Sequence, residues 1–204
     1  QIADAVGSGA YGVISPDAAP VYDLYDKIGA SAEDGARASV LSRAPFVAAH
    51  RGYTGLHAEN TVGAIEDAAA VGATHVEIDI RFSEDKEIVV YHNDNITYNG
   101  SSVPVSSLTL SELQSVSLAG GTSEDVIPTI EDVFEAVESG ETGDLILIIE
   151  FKGREADLVT SFAEKVAEYN MQSRVVVISF FPEQLQRVRA QLPTISTSYL
   201  LNAT

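Results

Sequence analysis

Residues 144–151 have the sequence Asp-Leu-Ile-Leu-Ile-Ile-Glu-Phe, a nearly continuous apolar run. A strand that is apolar on both faces is typical of a parallel sheet covered by helices on both sides. The run is much shorter than the roughly 20 apolar residues that a membrane-spanning helix needs. No other apolar run in the sequence approaches that length, so we expect no transmembrane segment.

Outward from this run, short apolar segments alternate with segments whose apolar side chains recur at helical spacing. The predicted strands are residues 46–49, 74–82, 87–91, 144–151, 174–180 and 195–201. The predicted helices are residues 61–71, 109–116, 129–137, 155–169 and 182–191. Repeated strand–helix units predict an α/β fold with a parallel sheet, but periodicity alone leaves a doubly wound sheet and a (β/α)₈ barrel both open.

Residues 1–44 differ in composition from residues 45–204, because they are rich in Ala, Gly, Ser and Asp and have little periodicity. We interpret them as a peripheral N-terminal extension with one short helix at residues 19–28. They lack two apolar runs of strand length, so we expect the first strand, residues 46–49, to have no closing neighbour.

The composition excludes several classes of function. The 204 residues include 12 Lys and Arg against 30 Asp and Glu, a net charge of −18 that argues against binding nucleic acid or anionic lipid. The absence of cysteine excludes disulfides, thiol catalysis and cysteine-ligated metals. Few lysines, many acids and no cysteine suit an exported bacterial protein, so we expect a secreted or cell-surface location, with the cytoplasm as the alternative.

The strand at residues 74–82 carries two acids on one face. Glu77 and Asp79 are two residues apart, so their side chains point to the same side, while Val76, Ile78 and Ile80 point to the other. Two carboxylates in a barrel interior or sheet crevice would need a cation, and their oxygens suit Mg²⁺ or Ca²⁺. The alternative is an ordinary half-exposed strand with polar residues in water.

Glu150 ends the apolar run at 144–151, and Lys152 follows on the same side of the chain. Ligands of parallel α/β folds bind at the carboxyl ends of the strands, where Glu150 is predicted to lie. A simple ion pair between Glu150 and Lys152 is the alternative interpretation.

Two of the four histidines lie at the ends of predicted strands. His50 is followed by Arg51 and Gly52, and the glycine permits a turn sharp enough for His50 and Arg51 to reach one site. His92 directly follows the strand at 87–91. A cation, an arginine and two groups that titrate near neutrality suit the hydrolysis of a phosphodiester.

The other two histidines have no such context. His57 lies in a loop without patterned neighbours, and we interpret it as solvated. His75 lies at the amino end of the strand at 74–82, where a packed or hydrogen-bonded role is expected. We interpret the eight acids between residues 124 and 144 as a solvated helix face.

The motifs occur in an order that resembles the glycerophosphodiester phosphodiesterase family. They are Ala49-His50-Arg51-Gly52, Glu59-Asn60-Thr61, Glu77-Ile78-Asp79, His92 and Glu150-Phe151-Lys152. Each motif alone is weak, but five in the same order and spacing form a specific signal over residues 46–204.

This resemblance implies a TIM-type barrel that cleaves glycerophosphodiesters, small-molecule substrates, to an alcohol and glycerol 3-phosphate. It further implies that His50 and His92 are the general acid and base. Arg51 and Lys152 would bind the phosphate. Glu77, Asp79 and Glu150 would hold one divalent cation, Mg²⁺ or Ca²⁺, and Glu59 and Asn60 would shape the site.

The sequence departs from the family pattern at three points. Ala58 stands where the family usually has proline before Glu-Asn-Thr, and Asn93 stands where it usually has aspartate after His92. Residues 45–204 are also short for a barrel of about 250 residues, so its last two strand–helix units are expected from further polypeptide or from a second chain. Two alternatives to this function are a related phospholipase-like enzyme and a non-catalytic binding module on a truncated barrel.

Overall fold

A computed structural model describes residues 13–15, 47–139 and 142–201, with side chains from residue 47 onward. Within this part of the chain, seven strands form one sheet, and six of them follow one another along its main path. The strands on that path are β1 (Val13–Ser15), β2 (Val47–His50), β3 (His75–Phe82), β7 (Ile146–Phe151), β8 (Val175–Ser179) and β9 (Ser196–Tyr199). All neighbours along the path are parallel, as predicted.

Five helices of the described residues confirm the predicted ones to within two residues at each end. They are α1 (Val62–Ala70), α2 (Leu110–Gln114), α3 (Ile130–Glu138), α4 (Ala156–Glu168) and α5 (Pro182–Gln191). Thr61 caps α1 by accepting a hydrogen bond from the Ala64 amide, and α2 and α3 each begin with a complete capping box. The predicted helix at 19–28 lies outside the described residues.

The core lies between the outer face of the sheet and the helices. Val76, Ile78 and Ile80 of β3 are fully buried on this face. The Phe151 ring of β7 packs edge-to-face on Phe162 of α4, with 5.1 Å between ring centroids. The opposite face of the sheet carries only a small apolar cluster, so it is free to carry polar side chains.

Two expectations about the sheet were wrong. Residues 1–44 do supply a neighbour for the first strand, because β1 pairs with β2 in parallel. The third predicted strand, β4 (Ile88–Val90), is antiparallel to β3. Only residues 83–86 separate the two predicted strands, a connection too short for a parallel crossover of a dozen or more residues.

The sequence prediction also missed a hairpin after β4. Strands β5 (Asn95–Tyr98) and β6 (Ser101–Pro104) pair antiparallel and form a separate two-stranded sheet. Asn99 and Gly100 join them, and both have positive φ angles, as a two-residue hairpin turn requires. No helix of the described residues is both long and apolar enough to cross a membrane.

Candidate active site

Three acidic side chains meet on the inner face of the sheet. Glu77 and Asp79 of β3 are 2% and 0% exposed, and Glu150 of β7 is 8% exposed. Asp79 is the direct cross-strand partner of Glu150. One oxygen of each acid lies within 4.8 Å of an oxygen of the other two. The alternative of a half-exposed strand with its acids in water is therefore wrong.

The close approach of these acids makes full ionisation unfavourable. Burial, together with the charges of Asp79 and Glu150, raises the pKa of Glu77 to about 8. Burial also raises the pKa of Glu150, although the Lys152 ammonium opposes that effect. A positive charge at the centre of this triad would relieve the repulsion.

The donor set fits a hard divalent cation. Glu77 Oε2 and Asp79 Oδ1 are buried and have no hydrogen-bond partner among the described residues. Buried polar atoms are nearly always hydrogen-bonded, so two buried carboxylate oxygens without a hydrogen bond are open to a further ligand. Carboxylate oxygens are the ligands that Mg²⁺ and Ca²⁺ prefer.

His50 and Arg51 reach the triad because the chain turns sharply after β2. The φ angles of Arg51 and Gly52 are 60° and 88°, and the Arg51 amide donates a 2.8 Å hydrogen bond to the Glu77 carbonyl. His50 Nε2 then lies 3.7 Å from Glu77 Oε2, and Arg51 Nε lies 3.4 Å from Asp79 Oδ2. The expectation that both side chains approach one site is confirmed by this geometry.

Lys152 lies on the other side of the triad. Its Nζ is 3.0 Å from Glu150 Oε1 and 3.6 Å from Asp79 Oδ1. The ion pair with Glu150 therefore exists, but it belongs to the acidic centre rather than to an isolated strand end. Arg51 and Lys152 thus place two cationic groups at the border of the three acids.

His92 approaches the site because β4 is antiparallel to β3. The chain returns along β3 after residues 83–86, and the Tyr91 amide donates a 2.9 Å hydrogen bond to the Asp79 carbonyl. His92 Nδ1 lies 2.9 Å from Asn93 Oδ1. His92 therefore has Asn93 as its side-chain partner, whereas Asp94 pairs with Arg81.

Arg81 is a site residue to which the sequence assigned no role. Its guanidinium donates hydrogen bonds to the carbonyls of Tyr91 and His92 and to the Asp94 carboxylate. It therefore holds the backbone on both sides of His92. The sequence could have indicated that Arg81 belongs to the site, because residues 77, 79 and 81 alternate along β3 and their side chains therefore share one face.

Asn60 orients the acid and the arginine together. Its Nδ2 donates a 2.9 Å hydrogen bond to Asp79 Oδ2, and its Oδ1 accepts one from the Asp79 amide. Its backbone amide donates to the Arg51 carbonyl at 2.9 Å. Glu59 accepts 3.0 and 3.1 Å hydrogen bonds from the Arg51 guanidinium. The expected shaping role of Glu59 and Asn60 thus has a direct geometric basis.

The remaining histidines differ from each other. His75 is hydrogen-bonded, with its Nδ1 at 2.8 Å from Thr74 Oγ1, as expected for the amino end of a strand. His57 is not simply solvated, because its Nδ1 lies 2.7 Å from the buried Asp125. Asp125 therefore also departs from the expectation that the acids between residues 124 and 144 form a solvated face.

A groove of about 800 Å³ opens beside Lys152, between the β5–β6 hairpin and the loops that follow β7 and β8. Arg81, Arg154 and Phe181 are among its lining residues. The Arg154 guanidinium lies over the Phe181 ring, 4.0 Å from its centroid. The volume is within the range of pockets that hold small molecules.

Comparison with known proteins points to one family. The model of the glycerophosphoryl diester phosphodiesterase family matches residues 50–204. A glycerophosphodiester phosphodiesterase of Caldanaerobacter subterraneus subsp. tengcongensis is 30% identical over 168 residues, which cover 76% of this chain and 66% of the relative. The chain spans between 64% and 66% of the lengths of three such curated relatives.

Solved structures agree with that assignment. An Oleispira antarctica phosphodiesterase in complex with its product sn-glycerol-3-phosphate has a TM-score of 0.69 and 27% identity, covering 79% of this chain and 68% of that one. A glycerophosphodiester phosphodiesterase from Parabacteroides distasonis has a TM-score of 0.66 and 27% identity, covering 76% and 64%. These structures are TIM barrels, so the predicted fold class is confirmed, although the sheet of the described residues is open.

Proposed function

The chain belongs to the glycerophosphoryl diester phosphodiesterase family, and on this premise we propose that it hydrolyses glycerophosphodiesters to an alcohol and glycerol 3-phosphate. The observation that carries the proposal is the buried triad of Glu77, Asp79 and Glu150 with basic groups at its border. A binding module would have no need to bury three acids, two of which have an oxygen without a hydrogen-bond partner among the described residues, beside two histidines.

Glu77, Asp79 and Glu150 would hold one divalent cation, Mg²⁺ or Ca²⁺. When bound, such a cation supplies Lewis-acid stabilisation of the charge that develops on the phosphoryl oxygens. Glu77 Oε2 and Asp79 Oδ1 support this assignment, since no described residue donates a hydrogen bond to either oxygen.

Arg51 and Lys152 would bind the phosphate. Their side chains lie on either side of Asp79, and each is partly accessible, with 17% of the side chain exposed. The protein has a net charge of −18, so an anionic substrate needs local cations at the site it enters. Glu59 and Asn60 orient Arg51 for this role through its guanidinium and its carbonyl.

His50 and His92 would transfer the protons. In hydrolysis a new P–O bond forms to the attacking oxygen, and the P–O bond to the alcohol breaks. One histidine would take a proton from the attacking water, whose oxygen forms the new P–O bond, and the other would give a proton to the departing alkoxide oxygen. His50 lies beside Glu77, and Arg81 holds the backbone of His92, which supports a fixed position for both imidazoles.

The groove beside Lys152 would receive the part of the diester that extends beyond the phosphate. It is large enough for a small alcohol headgroup, and its lining offers guanidinium, carboxylate and amide groups for hydrogen bonds. The proposed substrate class is therefore a small, hydrophilic glycerophosphodiester.

The test is the release of glycerol 3-phosphate from glycerophosphocholine and glycerophosphoethanolamine, measured with and without Mg²⁺ or Ca²⁺. We expect cation-dependent release, and we expect Glu77→Gln to abolish it. Glu84→Gln is the matched control, because Glu84 is an exposed carboxylate at the turn after β3. Absence of release from either ester under all conditions, or equal activity of the Glu77 and Glu84 variants, would contradict the proposal.

A further inference from the structure

A second acidic group ties two loops together outside the triad. Asp125 is 8% exposed, and its Oδ1 lies 2.7 Å from His57 Nδ1. Its Oδ2 accepts hydrogen bonds from the amides of Ala58 at 2.8 Å and Thr122 at 2.9 Å. A carboxylate with three such donors is a fixed anchor, because each bond to a charged acceptor is stronger than a neutral one.

Two glycines make room for this contact. A Cβ atom at Gly63, on the first turn of α1, would lie 2.5 Å from His57 Nδ1. A Cβ atom at Gly121 would lie 2.0 Å from Asp125 Oδ2 and 2.7 Å from the Ala58 amide nitrogen. Distances below 3.0 Å are closer than packed atoms approach, so the imidazole and the carboxylate depend on both glycines.

The anchored segment leads directly to the site. The Ala58 carbonyl accepts a 2.7 Å hydrogen bond from the Thr61 hydroxyl, which also caps α1. Between them lies Asn60, whose side chain bonds Asp79 and whose amide bonds the Arg51 carbonyl. A displacement of Ala58 would therefore move Asn60, and with it the hydrogen bonds that orient Asp79 and Arg51.

We propose that His57 and Asp125 are positioning residues that hold the segment 58–61 so that Asn60 orients Asp79 for the cation and Arg51 for the phosphate. This inference rests on the proposed function for the role of the site, but the anchoring itself does not depend on which reaction the site performs. Neither residue contacts the triad, so neither is a catalytic residue.

The charges around His57 favour the contact. Asp125 faces the imidazole across the hydrogen bond, and Glu66 and Asp67 of α1 lie near enough to act on it. The hydrogen bond to Asp125 raises the pKa of His57, and the donors around Asp125 outweigh its burial and lower its pKa. Because Asp125 accepts only, Nδ1 carries the proton in both charge states of the ring.

The experiment compares His57→Ala, His57→Asn and Asp125→Ala with the unsubstituted chain. An asparagine places its amide nitrogen near the position of Nδ1, so it keeps a donor for Asp125 but does not titrate. Asp85→Ala is the matched control, because Asp85 also accepts a hydrogen bond from a distant backbone amide, that of Leu110 at the start of α2. The readouts are Ca²⁺ affinity by calorimetry, hydrogen exchange of the Ala58 and Asn60 amides, and kcat and KM against pH.

We expect His57→Ala and Asp125→Ala to weaken Ca²⁺ binding about 10-fold, the lower end of effects for residues that orient ligands. Faster exchange of the Asn60 amide should accompany the loss, whereas His57→Asn should restore both readouts and Asp85→Ala should change neither. Unchanged Ca²⁺ affinity and Asn60 exchange in a folded His57→Ala variant would overturn the inference, as would failure of His57→Asn to restore them. If exchange and Ca²⁺ affinity change but no variant or parent hydrolyses a diester, the proposed function fails and the anchoring stands.

Discussion

Single residues decide the chemistry of this protein through their burial. Glu77 is almost completely enclosed and faces two further acids, and the Arg51 guanidinium offsets only part of that repulsion. The pattern of alternate residues on β3 was enough to predict that Glu77 and Asp79 share a face, because side chains in a strand alternate strictly. It could not predict the role of His57, whose partner Asp125 lies 68 residues further along the chain.

The raised pKa of Glu77 predicts how stability changes with pH when no cation is present. An unfolded chain has a glutamate pKa near 4.3, whereas the folded value is about 8, so folding favours the protonated form. The stabilising contribution of this group is therefore complete below about pH 4.3 and is lost as the pH rises through about 8.

Thermal unfolding in EDTA across pH 5 to 9 measures this effect. Glu77→Gln, which is neutral throughout, should be more stable than the parent, and the difference in Tm should grow as the pH rises. Glu84→Gln should follow the parent. Parallel curves for the parent and Glu77→Gln would show that Glu77 is not repelled by its neighbours.

The two histidines should have opposed roles that a change of leaving group separates. We expect His50→Ala and His92→Ala each to lower kcat/KM by roughly 10²-fold or more on an alkyl diester. An aryl diester has a leaving group that needs no proton, so it should rescue only the variant that lacks the acid. Equal rescue of both variants, or no loss in either, would refute the assignment.

At the scale of the elements, the turn after β2 sets the site. Gly52 has a φ angle of 88°, and a Cβ atom there would lie 2.7 Å from the backbone of Ala64 in α1. Gly100, in the β5–β6 turn, has a φ angle of 77° with nothing within 4 Å of a Cβ atom. The two glycines therefore share a backbone conformation but differ in the space around them.

Gly100→Ala should cost about 1 kcal/mol of unfolding free energy, the strain of an alanine in this conformation. Gly52→Ala should cost clearly more, because α1 must also move, and it should displace Arg51. Denaturant unfolding of both variants, with Ca²⁺ affinity as a second measurement, checks this. Equal losses of unfolding free energy in the two variants would mean that α1 shifts to make room for the added methyl group at no measurable cost.

The bounds of the helices were predicted closely from the sequence where the signal lay within the helical segment itself. The apolar spacing predicted α1, α2 and α3 well, since that signal lies within the segments themselves. The predicted direction of β4 was wrong because strand propensity does not indicate whether a strand is parallel or antiparallel. The four-residue connection between the two predicted strands does indicate it, since it is too short for a parallel crossover. The Asn99-Gly100 pair was an equally local signal for the hairpin that was missed.

At the scale of the whole molecule, the sheet of the described residues is open. Its outer strands are β1 and β9, each with one neighbour on the main path. Open strand edges pair readily with other chains, so we propose that strands from further polypeptide or from a second chain cover them in the working protein. The secreted or cell-surface location stays a prediction.

Sedimentation velocity of the 204-residue chain tests whether the edges of the sheet at β1 and β9 are exposed. We expect oligomers or larger assemblies whose proportion rises with protein concentration, because uncovered parallel edges associate. Repetition at high salt controls for the repulsion expected from a charge of −18. A single monomeric species at all concentrations and both salt conditions would contradict an exposed edge.

A crystal structure with Mn²⁺ bound would show whether Glu77, Asp79 and Glu150 form one cation site. Mn²⁺ takes the same oxygen ligands as Mg²⁺ and Ca²⁺ and gives an anomalous signal that identifies it. We expect one strong anomalous peak within bonding distance of all three carboxylates, and no peak there in Glu77→Gln. A peak elsewhere with the triad empty, or three acids that bind no cation at saturating Mn²⁺, would contradict this expectation.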